Sequence, residues 1–448
     1  MATTYLSDTQ ATPTNNKKWT WSSWCKFSGT GEQYIMSAYT DANNATSIRF
    51  LDATNRLDFQ NYVSSSDAGR LKTTRNLRDP SAWYHIVCVF DSDNVTSGDR
   101  QQIWINGVRE TAFDTETYPS SGAASILNAS GIVAEVGRRS DSANMLNGEL
   151  AHTHFCDGQA YSASDFGETD ATSGIWIPKS GPSVTYGTNG FFLKYESGAS
   201  GTDSSGNSND FTVSGTMTNL KDTPDNNFAT MNPLLKSSYC TLSNGNTKTF
   251  GNAGADTGNC STTLLATTGL YYAEIKSGTI YGTTYPRVGV QHTPNTNYGR
   301  CVNGTDGGAG GQGTPNNNEG YACANGQKFT SNALSSFASA WVATDILAVA
   351  MDCTNGAAYV AINNVWQNSG DPTSGASKTG ALVTWTPSDV DATAFASCDY
   401  NGSFLEWNFG NGYFGSTVIG SAVSSGNGLW KYSPPTNYVS LNTKEINS

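Results

Sequence analysis

No stretch of this 448-residue chain keeps apolar residues at helical spacing for long before Gly, Asn or Pro interrupts it. With 47 Gly and 14 Pro so distributed, a core has to come from short extended segments joined by turns. Strand signals do recur. Trp83-Tyr84-His85-Ile86-Val87-Cys88-Val89-Phe90 is a β-branched and aromatic run bounded by Asp79-Pro80 and by Asp91-Ser92-Asp93-Asn94. Gln102-Ile103-Trp104-Ile105 leads into Asn106-Gly107, a strong short-range hairpin signal. Many short strands with turns between them predict an all-β chain of antiparallel sandwiches.

Only 14% of residues are charged and 37% are hydrophobic, a balance that would suit a disordered chain. The aromatic content decides otherwise: 11% of residues are Phe, Trp or Tyr, including 11 Trp. Trp19, Trp21, Trp24, Trp83, Trp104, Trp341 and Trp407 sit inside strand patterns and are assigned to cores.

Charge and hydropathy exclude some classes. Lys and Arg number 25 against 37 Asp and Glu, and the basic residues are scattered, so nucleic acid is not an expected partner. The longest apolar run, Ile346 to Met351, is far too short to insert in a membrane. Met1-Ala2-Thr3-Thr4-Tyr5 lacks the basic and apolar regions of a secretory signal, so synthesis in a cytoplasm is expected.

Nine cysteines occur without a CxxC pair: Cys25, Cys88, Cys156, Cys240, Cys260, Cys301, Cys323, Cys353 and Cys398. They read as free thiols packed as small hydrophobes. The best metal candidate is His152-Thr153-His154-Phe155-Cys156, where strand alternation would put three ligating side chains on one face. No second ligand pair accompanies it, so a packed strand is the preferred reading and no metal is expected.

Catalytic patterns are similarly thin. No Glu-x-Asp-x-Glu or Glu-x-Glu places paired carboxylates on one strand face. Asp91/Asp93 and Asp389/Asp391 sit beside turn residues, and Asp99, Asp114 and Glu116 have no recognisable partner. Of the four histidines, His85 and His292 fit strand positions, and no Gly-x-Ser-x-Gly is present. No catalytic residue is assigned. The turns Asp41/Asn43/Asn44 and Asp91/Asp93/Asn94 hold oxygen ligands of the kind a rim calcium ion uses. Polar turn chemistry accounts for them, and no cofactor is expected.

Two family resemblances cover most of the chain. Residues 19–166 resemble a laminin-G-like, concanavalin-A-type lectin domain. The matching pieces are Trp19-Thr20-Trp21-Ser22-Ser23-Trp24, Trp83-Tyr84-His85-Ile86-Val87, Trp104-Ile105-Asn106-Gly107 and Leu146-Asn147-Gly148-Glu149-Leu150-Ala151, in that order. From about residue 237 the chain resembles a SPRY domain. Gly269-Leu270-Tyr271-Tyr272-Ala273-Glu274-Ile275, Arg287-Val288-Gly289-Val290, Asp345 to Asp352 with Ala358 to Trp366, and Phe404 to Gly410 carry that likeness. It departs at Asn363-Asn364, where the family usually has Asn-Gly, and in a Gly-rich insertion at 303–320. The resemblances imply two antiparallel jelly-roll sandwiches in tandem: 1–218, a linker at 219–236, and 237–448.

The tandem order, the phrase Asp222-Thr223-Pro224-Asp225-Asn226-Asn227-Phe228-Ala229-Thr230-Met231-Asn232-Pro233, Leu242-Ser243-Asn244-Gly245-Asn246, and the tail Tyr438 to Thr443 resemble virion proteins of marine bacteriophages. That likeness implies a non-enzymatic protein on the virion surface, as capsid decoration, head fibre or tail fibre. Its expected partners are other virion proteins, further copies of itself and host cell-surface polysaccharide. A glycan depolymerase and an intracellular interaction scaffold are the alternatives. Sugars are gripped by an aromatic face plus amide hydrogen bonds. The candidate binding residues are therefore Tyr298 and Tyr321, which flank the insertion, and Asn363, Asn364 and Trp366 at the hairpin.

Overall fold

A computed structural model describes residues 4–141, 144–171, 174–253, 257–282, 284–293, 320–330 and 333–446. The chain divides into two units, Met1–Asn219 and Leu220–Ser448. Each is an all-β sandwich of antiparallel sheets.

In the first unit, eight strands run in the order Phe113–Thr117, Ser66–Asn76, Arg56–Val63, Asn44–Leu51, Gln33–Asp41, Val133–Val136, Tyr5–Thr9, Thr212–Ser214. The facing sheet has six: Phe191–Leu193, Gly148–Asp157, Lys18–Phe27, Tyr84–Asp91, Gln101–Ile105, Val108–Arg109. Trp19 sits between the layers, 5.4 Å from Phe59, 5.7 Å from Phe90 and 5.6 Å from Phe155 between ring centroids. The apolar run at Tyr84–Asp91 has a reason in the packing. Ile86, Cys88 and Phe90 enter this core, while Val87 and Val89 enter a second cluster with Cys156, Ala163 and Phe166. A strand covered on both faces has no polar side to alternate with. At the Asn106-Gly107 hairpin both residues have positive φ, +49° and +82°, as a primed turn requires.

The expected alternation at His152, His154 and Cys156 is corrected by a β-bulge. Ala151 pairs with Trp24 and His154 with Ser22, so residues 152 and 153 share one position opposite Ser23. His152 takes a left-handed φ of +48°, and its ring departs from strand register.

In the second unit the seven-stranded sheet runs Met231–Lys236, Gly258–Thr262, Ala392–Asp399, Arg287–Thr293, Gly320–Cys323, Gln327–Thr330, Ala333–Ser336. The larger sheet contains Cys240–Ser243, Lys248–Gly251, Phe404–Asn408, Leu270–Ser277, Ile346–Asp352, Ala357–Ile362 and Val365–Trp366, with Val383–Thr384 pairing Ala357–Ile362 and Val439–Ser440 running parallel to Leu270–Ser277. Trp341, Trp385, Trp407, Phe395 and Phe409 fill the space between the sheets. Residues 219–236 supply the strand Met231–Lys236 and the buried Phe228, Ala229 and Met231 to this unit. That unit is closed by a clasp between its two ends. Ala229 N donates to Leu441 O (2.9 Å), Thr443 N to Asn227 O (2.9 Å), and Lys444 Nζ lies 3.0 Å from Asp225 Oδ2.

Six of the seven tryptophans assigned to cores are buried; Trp104 is half-buried against the second cluster of the first unit. The eight described cysteines are buried, and Cys301 lies outside the described residues.

Candidate functional site

The first unit contains a Ser-His pair, so nucleophilic chemistry needs testing. His85 Nε2 lies 2.9 Å from Ser22 Oγ, and Trp176 Nε1 lies 2.9 Å from His85 Nδ1. An indole N–H can only donate, so Nδ1 is the acceptor and the neutral ring carries its proton on Nε2. That proton points at Ser22, so His85 cannot take a proton from the hydroxyl. The ring is fully buried and stacks on Trp24 at 4.8 Å; burial lowers its pKa to about 3. His154 is held alike, with Nδ1 2.9 Å from Tyr186 Oη and its ring 3.9 Å from Phe192. These are packing residues, and no group of three metal-ligating side chains occurs among the described residues.

The residues proposed from sequence fall in three places. Tyr298 lies outside the described residues, as does most of the insertion. Tyr321 is 1% exposed on the strand Gly320–Cys323, in a cluster with Tyr285, Cys323, Phe329, Ala396 and Cys398. A side chain so covered cannot meet a surface ligand, which corrects its placement from loop to packed strand. Asn363 and Asn364 form the turn before Val365–Trp366, with φ of +47° and +67°. Asn363 is structural: its Oδ1 accepts from Ile346 N (3.0 Å) and its Nδ2 donates to Asp345 Oδ1 (2.8 Å). Asn364 is exposed beside Val365, which is 63% exposed, and Trp366 is half-buried against an aromatic and alanine cluster. An exposed amide and a half-buried indole thus share one hairpin.

A larger polar surface, not anticipated from sequence, covers the outer face of the eight-stranded sheet. Its foundation is Asp58, fully buried. Arg49 Nε donates to Asp58 Oδ2 (2.9 Å) with Nη2 2.8 Å from the same oxygen, and Arg70 Nε donates to Oδ1 (2.9 Å). Arg49 spends its other N–H groups on Glu32 Oε1 (3.0 Å), Tyr34 Oη (2.9 Å) and Gln60 Oε1 (3.1 Å). Arg139 lies over Tyr34 at 4.7 Å and Tyr39 at 5.5 Å, and Arg138 lies over Tyr5 at 3.3 Å. A second group joins Arg56 and Lys72 to Asp52 and Asp114. Burial raises the Asp52 pKa, but hydrogen bonds from Thr54 and Arg56 outweigh it and hold the value at about 2.

This arrangement is a pavement of flat guanidinium, amide and phenol groups. Its carboxylates are locked to cations, whereas glycoside cleavage needs one carboxyl kept protonated beside an ionised one. Half-exposed Tyr39 and the Arg139 guanidinium remain as contact groups on top, beside Gln60, whose amide is held by Arg49 and Asp67. Binding of a hydroxyl-rich molecule is the chemistry such a surface offers.

Residues 2–165 match the Laminin_G_3 family, described as the concanavalin A-like lectin/glucanases superfamily. The first unit has the concanavalin A-like fold. Among solved structures, a heptameric SAP-like pentraxin from Limulus polyphemus is 18% identical over 36% of this chain and 72% of its own, with a TM-score of 0.27. The SPRY domain of human HERC1 is 12% identical over 40% of this chain and 96% of its own, with a TM-score of 0.29. A further human SPRY domain is 10% identical over 38% and 94%, with a TM-score of 0.26. No curated protein matches the chain.

Proposed function

We propose that this chain is a non-catalytic glycan-binding protein carried on the surface of a phage particle. Its first unit uses the pavement around Tyr39, Gln60 and Arg139 as the sugar-contacting face. The observation that carries the reading is the ion-pairing of that face: rigid, planar polar groups are displayed while the carboxylates that could cleave a glycosidic bond are tied to Arg or Lys. The concanavalin A-like match of residues 2–165 favours a carbohydrate ligand. The hairpin tip at Asn364 and Trp366 is a second contact point in the other unit. The likeness of the phrase Asp222 to Pro233 to phage virion proteins supports the location, with neighbouring virion subunits as further partners.

The test is a binding assay of the full chain against host-surface polysaccharides, with reducing-end release measured in the same samples. Binding without cleavage is expected, weakened at least tenfold by the double variant Tyr39→Ala/Arg139→Ala. Release of reducing ends would establish the depolymerase alternative instead. Mass spectrometry of purified particles checks the location; absence of the chain there would remove the virion assignment.

A further inference from the structure

Eight described thiols are buried, and geometry separates them sharply. A disulfide needs Cα atoms within about 7 Å. Cys25 lies opposite Tyr84 while Cys88 lies opposite Trp21, four residues along the same pair of strands. That offset is about 13 Å. Cys323 and Cys398 flank Arg287 on opposite sides. They are two strand spacings apart, about 9.6 Å. Cys353 has Thr393 as its hydrogen-bonding neighbour.

Cys240 and Cys260 differ from all of these. Both are 1% exposed in one core cluster. Ser237 N donates to Asn259 O (2.8 Å) and Cys240 N to Ser237 O (3.1 Å), which draws the start of Cys240–Ser243 onto the strand Gly258–Thr262. A Cβ placed on Gly258 would lie 3.1 Å from Cys240 Cα. Cys260 is two residues further on, hence on the same face. Cys240 lies near enough to act on the Cys260 thiol, while each sulfhydryl donates to a backbone carbonyl, Cys240 Sγ to Thr241 O (3.9 Å) and Cys260 Sγ to Asn232 O (3.5 Å).

We infer that Cys240 and Cys260 are a site of covalent modification, closing an intrachain disulfide when the folded chain meets a small-molecule disulfide such as oxidised glutathione. The bond would join the two sheets of the second sandwich, since Cys240–Ser243 and Gly258–Thr262 belong to different sheets. One thiol loses its proton and attacks a sulfur of oxidised glutathione, expelling one glutathione thiolate. The second thiolate then attacks the protein sulfur of that mixed disulfide and expels the other. Two electrons pass to the oxidant, which ends as two glutathione thiols. Burial and the neighbouring Cys240 thiol push the Cys260 pKa well up, while the Lys236 ammonium acts against this. Lys236 Nζ lies 2.6 Å from Cys240 O, beside the reacting pair.

The experiment uses the full chain, purified reduced and equilibrated with oxidised and reduced glutathione. A parallel sample contains sub-denaturing urea, so that access to the core does not limit exchange. After alkylation, peptide mapping is expected to recover the Cys240 and Cys260 peptides joined and lighter by two hydrogens. The thermal midpoint should rise on oxidation, and Cys240→Ala should abolish the rise. Recovery of both residues alkylated, of a lasting glutathione adduct on either, or of either joined to a different cysteine would overturn the inference.

Discussion

The indole N–H of Trp176 donates to Nδ1 of His85 across 2.9 Å and fixes which nitrogen of that buried ring carries the proton. One hydrogen bond thereby disarms the Ser22–His85 pair, and burial keeps the imidazole neutral in the folded state.

That neutrality makes the first unit sensitive to acid. The folded pKa is about 3 against an ordinary 6.5. Between those values the unfolded chain binds the extra proton, so stability rises with pH through the window and falls as pH drops. We predict a loss approaching about 1.4 kcal/mol for each pH unit below 6.5. Thermal midpoints from pH 7 to pH 4 should decline more steeply for the native chain than for His85→Gln. Equal slopes would sink the assignment.

Asp399 has the opposite sign. It is fully buried, and desolvation raises its pKa to about 8 from 3.8, only partly offset by the Thr249 hydroxyl. Here the folded state holds the extra proton, so stability is lost as pH rises from about 4 to 8. Asp399→Asn is predicted to stabilise the second unit at pH 8 by on the order of a few kcal/mol. The gain should shrink toward pH 4, as read by urea unfolding at both values.

Asp58 anchors two guanidinium groups with a carboxylate that has no solvent contact. Asp58→Asn leaves Arg49, itself 7% exposed, without its buried counter-charge. A loss of about 3–5 kcal/mol is predicted. Asp141, which pairs with Arg139 at the edge of the same pavement, should matter far less: Asp141→Asn is predicted to cost under about 1 kcal/mol. Comparable losses from the two variants in chemical denaturation would contradict this ranking.

Gly107 is the tip of a hairpin that packs under Trp176. Its φ is +82°, and an added Cβ would stand 2.9 Å from the indole. Gly107→Ala is predicted to lower stability by about 1–2 kcal/mol and to quench or shift Trp176 fluorescence, since the clash falls on that ring. An unchanged midpoint and spectrum would rule out the contact.

The parts of the fold written locally were legible. Trp83 to Phe90 announces a strand because every side chain is apolar or aromatic, and Asn106-Gly107 announces its neighbour's turn because only certain residues accept that backbone. The bulge at His152 left no trace in the sequence, because nothing in Ala151-His152-Thr153 differs from an ordinary alternating strand. The pavement was illegible for a different reason. Arg49, Asp58 and Arg70 are unremarkable charged residues until register sets them side by side on neighbouring strands. Tyr321 misled because flanking a Gly-rich insertion says nothing about which face of the following strand a ring will take. Cys240 and Cys260 show no recognisable spacing; only the turn between Ser237 and Cys240 brings them together.

The clasp of the second unit carries a mechanical meaning. Asp225 and Lys444 lie at the same end of an antiparallel junction, with Asn227–Thr443 and Ala229–Leu441 behind them. Tension on the stretch before Asp225 meets the bonds of Lys221 N and Asp222 N to Asn411 Oδ1 first, and only then the ion pair and the two backbone contacts in series. The clasp is thus a fuse in series with Asn411, ahead of the strand Met231–Lys236.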